Sequence, residues 1–199
     1  MGKSFFARHL LRQVAKKKWP ILIIDGTAHM WAEEYAKDGG GTVDKPRLVS
    51  AFNPKFLCQI YQPDPDVEGW EDSKLLGILS KAYQHKNILI YFDELFDIID
   101  AHHAPKEIRR LWTQGRKMRV AAWAGVQEPK DIPRFVMSQT ENWAMFRITD
   151  EDQLDNMSKR MSSPQIRKKL IDRFFFWYYH STMDTAQLMA PLPKEDKKK

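Results

Sequence analysis

The pattern of apolar residues along the chain alternates between two kinds of segment. Short unbroken apolar runs predict buried parallel strands, because a strand covered on both faces carries apolar side chains at every position. Longer segments with apolar residues three or four positions apart predict helices. The predicted strands lie at 21–24, 57–61, 88–92, 120–126, 143–148, 174–179 and 185–190, and the predicted helices at 4–18, 72–84, 105–114, 150–160 and 164–172, with a loop and short helix at 129–138. This alternation predicts a three-layer α/β fold with a mostly parallel sheet and a C-terminal β-hairpin.

Gly115 marks the predicted end of the helix at 105–114. Glycine is common directly after a helix, because it adopts left-handed backbone conformations at little cost. We therefore expect the chain to leave the helix at Gly115 and to turn into the next strand.

Two adjacent carboxylates, Asp93 and Glu94, follow the strand predicted at 88–92. The carboxyl ends of strands form the rim at which α/β sheets bind ligands. An aspartate there can hold a magnesium ion, and a glutamate can orient a water molecule. The alternative is a strand that simply meets a solvated turn.

Gly2, Lys3 and Ser4 directly precede the first predicted helix. Gly-Lys-Ser before a helix is the last part of the phosphate-binding loop G-x-x-x-x-G-K-[ST], although the tripeptide alone occurs often by chance. The first glycine and the four spacer residues are absent from the printed sequence. Gly-Lys-Ser and the Asp93–Glu94 pair, in this order and with a strand between them, together indicate an ATP-hydrolysing motor.

Length and composition indicate one folded domain. The chain has 199 residues, of which 43% are apolar and 29% charged, as in globular rather than disordered proteins. We expect the domain to cover 1–193 and a disordered basic tail to cover 194–199. No apolar stretch approaches the ~18 residues of a membrane span, and the start has no signal-peptide layout. The single cysteine, Cys58, excludes an internal disulfide and fits a reducing compartment.

The net charge of +6 bears on possible partners. Basic residues gather at 12–18 and 106–119, which is consistent with a nucleic-acid partner and equally with ordinary solvated helix faces. The glycine-rich loop at 38–46, which contains Lys45 and is followed by Arg47, could reach DNA or be an ordinary surface loop.

A resemblance to a known family rests on residues 114–148. Gln-Gly-Arg-Lys-Met-Arg-Val leads into an apolar strand that ends at Gln127, and Glu-Pro-Lys-Asp-Ile-Pro-Arg follows. This stretch resembles the HerA/FtsK superfamily of P-loop ATPases. The closing aromatic hairpin, which ends in Met-Ala-Pro-Leu-Pro, resembles the genome-packaging ATPases of membrane-containing and archaeal viruses. The resemblance implies a RecA-like (ASCE) P-loop NTPase fold.

The resemblance also implies roles for particular residues. Gly2, Lys3 and Ser4 would bind the phosphates of ATP, and Ser4 and Asp93 would hold Mg²⁺. Glu94 would act as the base or orient the attacking water, and Gln127 would sense the γ-phosphate. An arginine from a neighbouring subunit would stabilise charge in the transition state, with Arg116 as the first candidate and Arg147 as the second.

The implied function is ATP-driven translocation of double-stranded DNA during packaging of a viral genome. We expect a homo-oligomeric ring, with portal or capsid vertex proteins as further partners, in the host cytoplasm or associated with the virion. The alternatives are a plasmid or conjugation motor of the HerA/FtsK type, a Zot-like phage assembly or export ATPase, and an inactive remnant that only binds.

One departure from the family lies at the start of the sequence. The family begins with a strand and the loop Gly-x-x-Gly-x-Gly-Lys-Ser, whereas the printed sequence begins two residues before Lys3. We expect either a longer natural protein, whose additional strand occupies the centre of the sheet, or a remnant, and the intact downstream motifs favour the first. We expect the chain as printed to bind ATP poorly.

Overall fold

The computed structural model describes residues 2–26, 46–69, 71–99, 102–129, 132–168, 170 and 174–193. The described residues fall into two compact units. The larger unit is Ala7–Gln127, and the smaller unit combines Met1–Phe6 with Glu128–Lys199. Most of the predicted glycine-rich loop, including Lys45, and the predicted tail at 194–199 lie outside the described residues.

A five-stranded parallel sheet forms the centre of the larger unit. Its strands are β1 (Ile21–Ile24), β2 (Arg47–Leu48), β3 (Cys58–Tyr61), β4 (Ile88–Phe92) and β5 (Val120–Ala124), in the order β2-β3-β1-β4-β5. Ile21 is in register with Cys58 of β3 and with Leu89 of β4, so these strands begin side by side. β1, β3 and β4 are buried at every position, which explains why they are apolar almost throughout.

Helices cover both faces of this sheet. They are α1 (Lys3–Lys16), α2 (Ser73–His85) and α3 (Lys106–Met118). From α1, Leu11 and Ala15 pack in one apolar cluster with Ile23 and Tyr91 of the sheet. Trp112 of α3 lies 5.8 Å from the ring of Phe92, whose side chain points to the opposite face from that of Tyr91. The predicted three-layer α/β arrangement is confirmed.

The prediction that a helix ends at Gly115 is wrong. α3 continues through Gly115 to Met118, and Arg119 ends it in the left-handed conformation with φ 54°. Gly115 is buried, and a Cβ there would lie 2.6 Å from the carbonyl oxygen of Val120. The glycine therefore permits the start of β5 to pass close to the helix and does not end it.

The smaller unit contains a three-stranded antiparallel sheet. Its strands are β6 (Asn142–Met145), β7 (Phe176–His180) and β8 (Gln187–Met189), in the order β6-β7-β8. The helices α4 (Arg134–Gln139) and α5 (Glu151–Arg160) belong to the same unit. The predicted C-terminal hairpin is confirmed as β7 and β8, whereas the described residues of the helix predicted at 164–172 form only a short 3-10 turn at Pro164–Arg167.

Methionines supply much of the core of the smaller unit, in which Met145, Met157 and Met161 surround Trp177. In neither unit do the described residues include a helix long and apolar enough to cross a membrane.

Candidate functional site

Asp93 and Glu94 lie at the carboxyl end of β4, the strand between β1 and β5. Their side chains are only 7% and 6% exposed, so this is not a solvated turn. Glu94 has an extended backbone and directly precedes the 3-10 turn Leu95–Asp97. Burying two carboxylates costs free energy unless they are paired or hydrogen-bonded, and such pairs are typical of functional sites.

Tyr91 holds the carboxylate of Asp93. Its hydroxyl donates a hydrogen bond of 3.0 Å to Oδ1 of Asp93, and both residues are buried. Burial and the negative charges of Asp93 and Glu94 raise the pKa of Tyr91 well above its usual value, while Arg8 of α1 acts in the opposite direction. The hydroxyl therefore stays protonated and remains a donor. The sequence reading missed Tyr91, although a residue two positions before Asp93 must share its face of the strand.

The backbone of Gly125 forms hydrogen bonds on both sides of the turn that carries the two carboxylates. The amide of Gly125 donates to the carbonyl of Phe92 at 2.7 Å, and its carbonyl accepts from the amide of Leu95 at 3.0 Å. A Cβ at this position would overlap the carbonyl oxygen of Asp93. The glycine was also missed, and its position directly after a strand was the available signal.

Further polar residues follow the neighbouring strands at this edge. Asp25, directly after β1, is fully buried, and its Oδ2 accepts a hydrogen bond of 3.4 Å from Nε2 of Gln62. Tyr61 at the end of β3 donates to Oδ2 of Asp72 at 2.9 Å. Asp72 also accepts from the amides of Lys74 and Leu75 and so caps α2, which makes this second tyrosine–aspartate pair structural.

Two further predicted site residues of the larger unit are exposed, and one of them, Arg116, lies far from these carboxylates. Gln127 is exposed, three residues beyond the end of β5. Arg116 is exposed in the last turn of α3, before β5 begins, and so lies at the amino edge of the sheet. Because β5 alone spans about 13 Å from that edge to the other, Arg116 and Asp93 of one subunit are not neighbours.

Gly2, Lys3 and Ser4 belong to the smaller unit and are half-buried. Gly2 has φ +123°, a conformation that only glycine adopts readily, and its carbonyl accepts from the amide of Phe6 at 2.9 Å where α1 begins. The first turn of α1 contains no acidic residue. Its amides and the positive end of the helix are therefore suited to an anion such as phosphate.

Arg147, the second arginine candidate, is exposed in the smaller unit. It directly follows Phe146, whose ring lies 3.1 Å from the position of a Cβ on Gly2. The smaller unit thus brings the segment of Arg147 close to Gly2.

The residue types fit a magnesium ion that arrives with a nucleotide. Magnesium prefers oxygen ligands, and in nucleotide sites it takes one or two protein groups together with phosphate oxygens. Asp93 of the larger unit offers a carboxylate of this kind, and Ser4 of the smaller unit, taken by itself, offers a hydroxyl. Within the described ranges, no three His, Cys, Asp or Glu side chains come together to hold a metal by themselves.

Comparison with known proteins identifies related viral ATPases. No protein-family model matches the chain. It is 25% identical over 154 residues to the DNA packaging ATPase P9 of Enterobacteria phage PRD1, across 73% of this chain and 65% of P9. The chain thus spans slightly less than two thirds of the length of this curated relative.

Comparison with solved structures shows the fold over nearly the whole chain. The DNA-packaging ATPase B204 of Sulfolobus turreted icosahedral virus superposes with a TM-score of 0.75 and 18% identity, over 96% of this chain and 93% of B204. The genome packaging NTPase B204 of Sulfolobus turreted icosahedral virus 2, in complex with ATP-gammaS, gives a TM-score of 0.73 and 17% identity, over 96% and 91%. The fold is therefore that of a viral packaging NTPase. More particularly, the chain is homologous to P9 and shares the fold of B204, which confirms the predicted resemblance to viral genome-packaging ATPases.

Proposed function

We propose that the protein is an ATP-driven translocase of double-stranded DNA that packages a viral genome. The buried Asp93–Glu94 pair at the carboxyl end of β4 carries the proposal, because an NTPase site needs a metal-binding and a water-activating carboxylate there. The homology to P9, a DNA packaging ATPase, supports packaging over a plasmid motor or a Zot-like export role.

Each site residue has a proposed role in ATP hydrolysis. Lys3 and the first-turn amides of α1 bind the phosphates, and Ser4 and Asp93 hold Mg²⁺, which neutralises phosphate charge when it is bound. Glu94 accepts a proton from the attacking water or orients it. Gln127 contacts the γ-phosphate.

Completion of the site by a neighbouring subunit is a further part of the proposal. Arg116 lies at the opposite edge of the sheet from Asp93 of the same subunit, and it is exposed to solvent, where another copy of the chain could approach it. Arg147 is the second candidate. We propose a homo-oligomeric ring that works with portal or capsid vertex proteins.

The test is the rate of ATP hydrolysis by the protein expressed from its complete reading frame, with duplex DNA, single-stranded DNA or no DNA, across a salt series. A packaging motor contacts the phosphates of DNA rather than its bases, so duplex DNA of any sequence should raise the rate of ATP hydrolysis. This increase should become smaller from low to moderate salt concentration. If duplex DNA gives no increase at any salt concentration, a role in protein assembly is the better account.

A further inference from the structure

Four chain segments meet at the amino edge of the parallel sheet, opposite the carboxylates. They directly precede β1, β3, β4 and β5 and cover residues 16–20, 53–57, 84–87 and 116–119. Backbone hydrogen bonds join them to the neighbouring strands: the amide of Ile21 donates to Leu57 at 2.7 Å, that of Leu89 to Pro20 at 2.9 Å and that of Ile88 to Arg119 at 3.3 Å. The segments therefore form one continuous border.

This border is basic throughout. None of the four segments contains an aspartate or a glutamate. Their lysines and arginines are all exposed. Arg116 is set aside, because the proposed function assigns it to a neighbouring subunit's ATP, and we call the others the amino-edge basic surface: Lys16, Lys17, Lys18, Lys55, Lys86, Lys117 and Arg119. The opposite edge of the same sheet carries the buried carboxylates Asp25, Asp93 and Glu94.

Helix stability explains only part of this surface. Lysine and arginine in the last turn of a helix interact favourably with its partial negative charge, which accounts for Lys16 and Lys117. The effect falls off beyond that turn. Lys55, by contrast, precedes a strand and not a helix end, so this effect does not account for it.

We infer that the amino-edge basic surface binds the phosphate backbone of duplex DNA. With neighbouring strands about 4.8 Å apart, the segments before β3, β1, β4 and β5 present their cations over about 14 Å, enough for several phosphate contacts. A membrane-binding face would add several exposed apolar side chains, but Trp19 is the one large apolar residue of these segments that is more than a third exposed. The inference rests on the proposed function and adds to it the surface that contacts the DNA.

The test compares two triple variants of the protein expressed from its complete reading frame. Lys17→Gln, Lys55→Gln and Lys117→Gln remove three cations from the surface. The control removes three exposed cations elsewhere: Lys74→Gln, Lys81→Gln and Lys159→Gln. Both variants change the net charge equally. Binding of a 30-bp duplex is measured by fluorescence anisotropy over a potassium chloride series, and a thermal midpoint is recorded for each protein.

The salt dependence of binding decides the outcome. Each lost phosphate contact lowers the slope of log K against log[salt] by about 0.9, so we expect a decrease of about 1 to 3 in the surface variant and none in the control. Equal slopes in the two variants would overturn the inference. So would a surface variant that binds DNA normally but no longer binds vesicles of anionic phospholipid.

Two further results distinguish a failure of this inference from a failure of the proposed function. If the wild-type protein binds no duplex DNA at any salt concentration, the proposed DNA translocase itself fails. If the surface variant melts early, Lys17→Gln alone should still lower the slope by about 0.9, and an unchanged slope in that variant would overturn the inference.

Discussion

The hydroxyl of Tyr91 donates a 3.0 Å hydrogen bond to the carboxylate of Asp93, two residues further along the chain and just beyond the end of β4. Both side chains are buried, and the raised pKa of Tyr91 keeps its proton in place. Tyr61 and Asp72 form a similar bond in the same unit, but Asp72 caps a helix. The two pairs therefore offer a direct comparison between a bond at the proposed site and one that stabilises the fold.

We predict that Tyr91→Phe raises the Mg²⁺ concentration needed for tight ATP binding by about 10- to 100-fold, the usual effect of losing a group that orients a metal ligand. Tyr61→Phe should leave this requirement unchanged, because its bond serves the cap of α2. Both variants should lose about 1–3 kcal/mol of unfolding free energy, since each leaves a buried carboxylate oxygen without its donor. Binding of a fluorescent ATP analogue is titrated against Mg²⁺. An equal Mg²⁺ requirement in the two variants would show that Tyr91 is merely structural.

Gly125→Ala should disturb the turn that carries Asp93 and Glu94. Its Cβ would overlap the carbonyl oxygen of Asp93, and overpacking of this kind costs about 1–3 kcal/mol. We expect a lower melting temperature together with a loss of ATP turnover. Gly77→Ala is the matched control, because Gly77 lies inside α2 with nothing within 4 Å of the new Cβ, and it should stabilise by about 0.5–1 kcal/mol. Normal ATP turnover in Gly125→Ala would show that the close contact between residue 125 and Asp93 does not matter for the site.

Glu94→Gln should abolish turnover while ATP is still bound. Glutamine keeps the shape of the side chain but cannot accept a proton, and the loss of a general base typically costs about 10²–10⁴-fold in rate. Lys3→Ala should instead weaken nucleotide binding itself. Turnover is measured as phosphate release, binding is measured separately, and Glu71→Gln at an exposed position is the control. A Glu94→Gln enzyme with near wild-type turnover would remove Glu94 from the proposed catalytic role.

Arg116→Ala should lower turnover about 10³-fold or more if Arg116 acts on a neighbouring subunit's ATP, the size expected of an arginine finger. Arg109→Ala, two helical turns earlier on α3, should have a much smaller effect. Rings that mix Arg116→Ala with Glu94→Gln subunits should regain part of the activity, because some interfaces then combine two intact halves. If mixed rings assemble and stay inactive, the shared site is refuted.

The sequence predicted the positions of β1, β3 and β4 well, because strands buried on both faces carry a strong apolar signal. It also located Asp93 and Glu94, since the end of such a strand defines the ligand-binding rim. The end of α3 was misplaced because glycine serves both as a helix terminator and as a point of close backbone approach, and only the packing against Val120 decides between them.

Tyr91 and Gly125 could not be assigned from the sequence for a related reason. A tyrosine within an apolar strand is usually core, and its bond to Asp93 depends on a three-dimensional contact with a polar neighbour on the same face. The contact of Gly125 with the turn after β4 depends on the pairing of two strands that are distant in the chain. The amino-edge basic surface likewise unites four segments that the sequence keeps far apart.

Hydrogen exchange at the edge of β5 that faces away from β4 can show whether a further strand extends the sheet there. Among the described residues, β5 pairs only with β4, and Arg119 and Gly125 bond toward that strand. By alternation, the amides of Val120, Ala122 and Ala124 point the other way. None of the residues of β5 is charged, so the edge lacks the side chains that commonly prevent further pairing. Slow deuterium uptake at these three amides would show that another strand covers them, and rapid uptake would show an open edge.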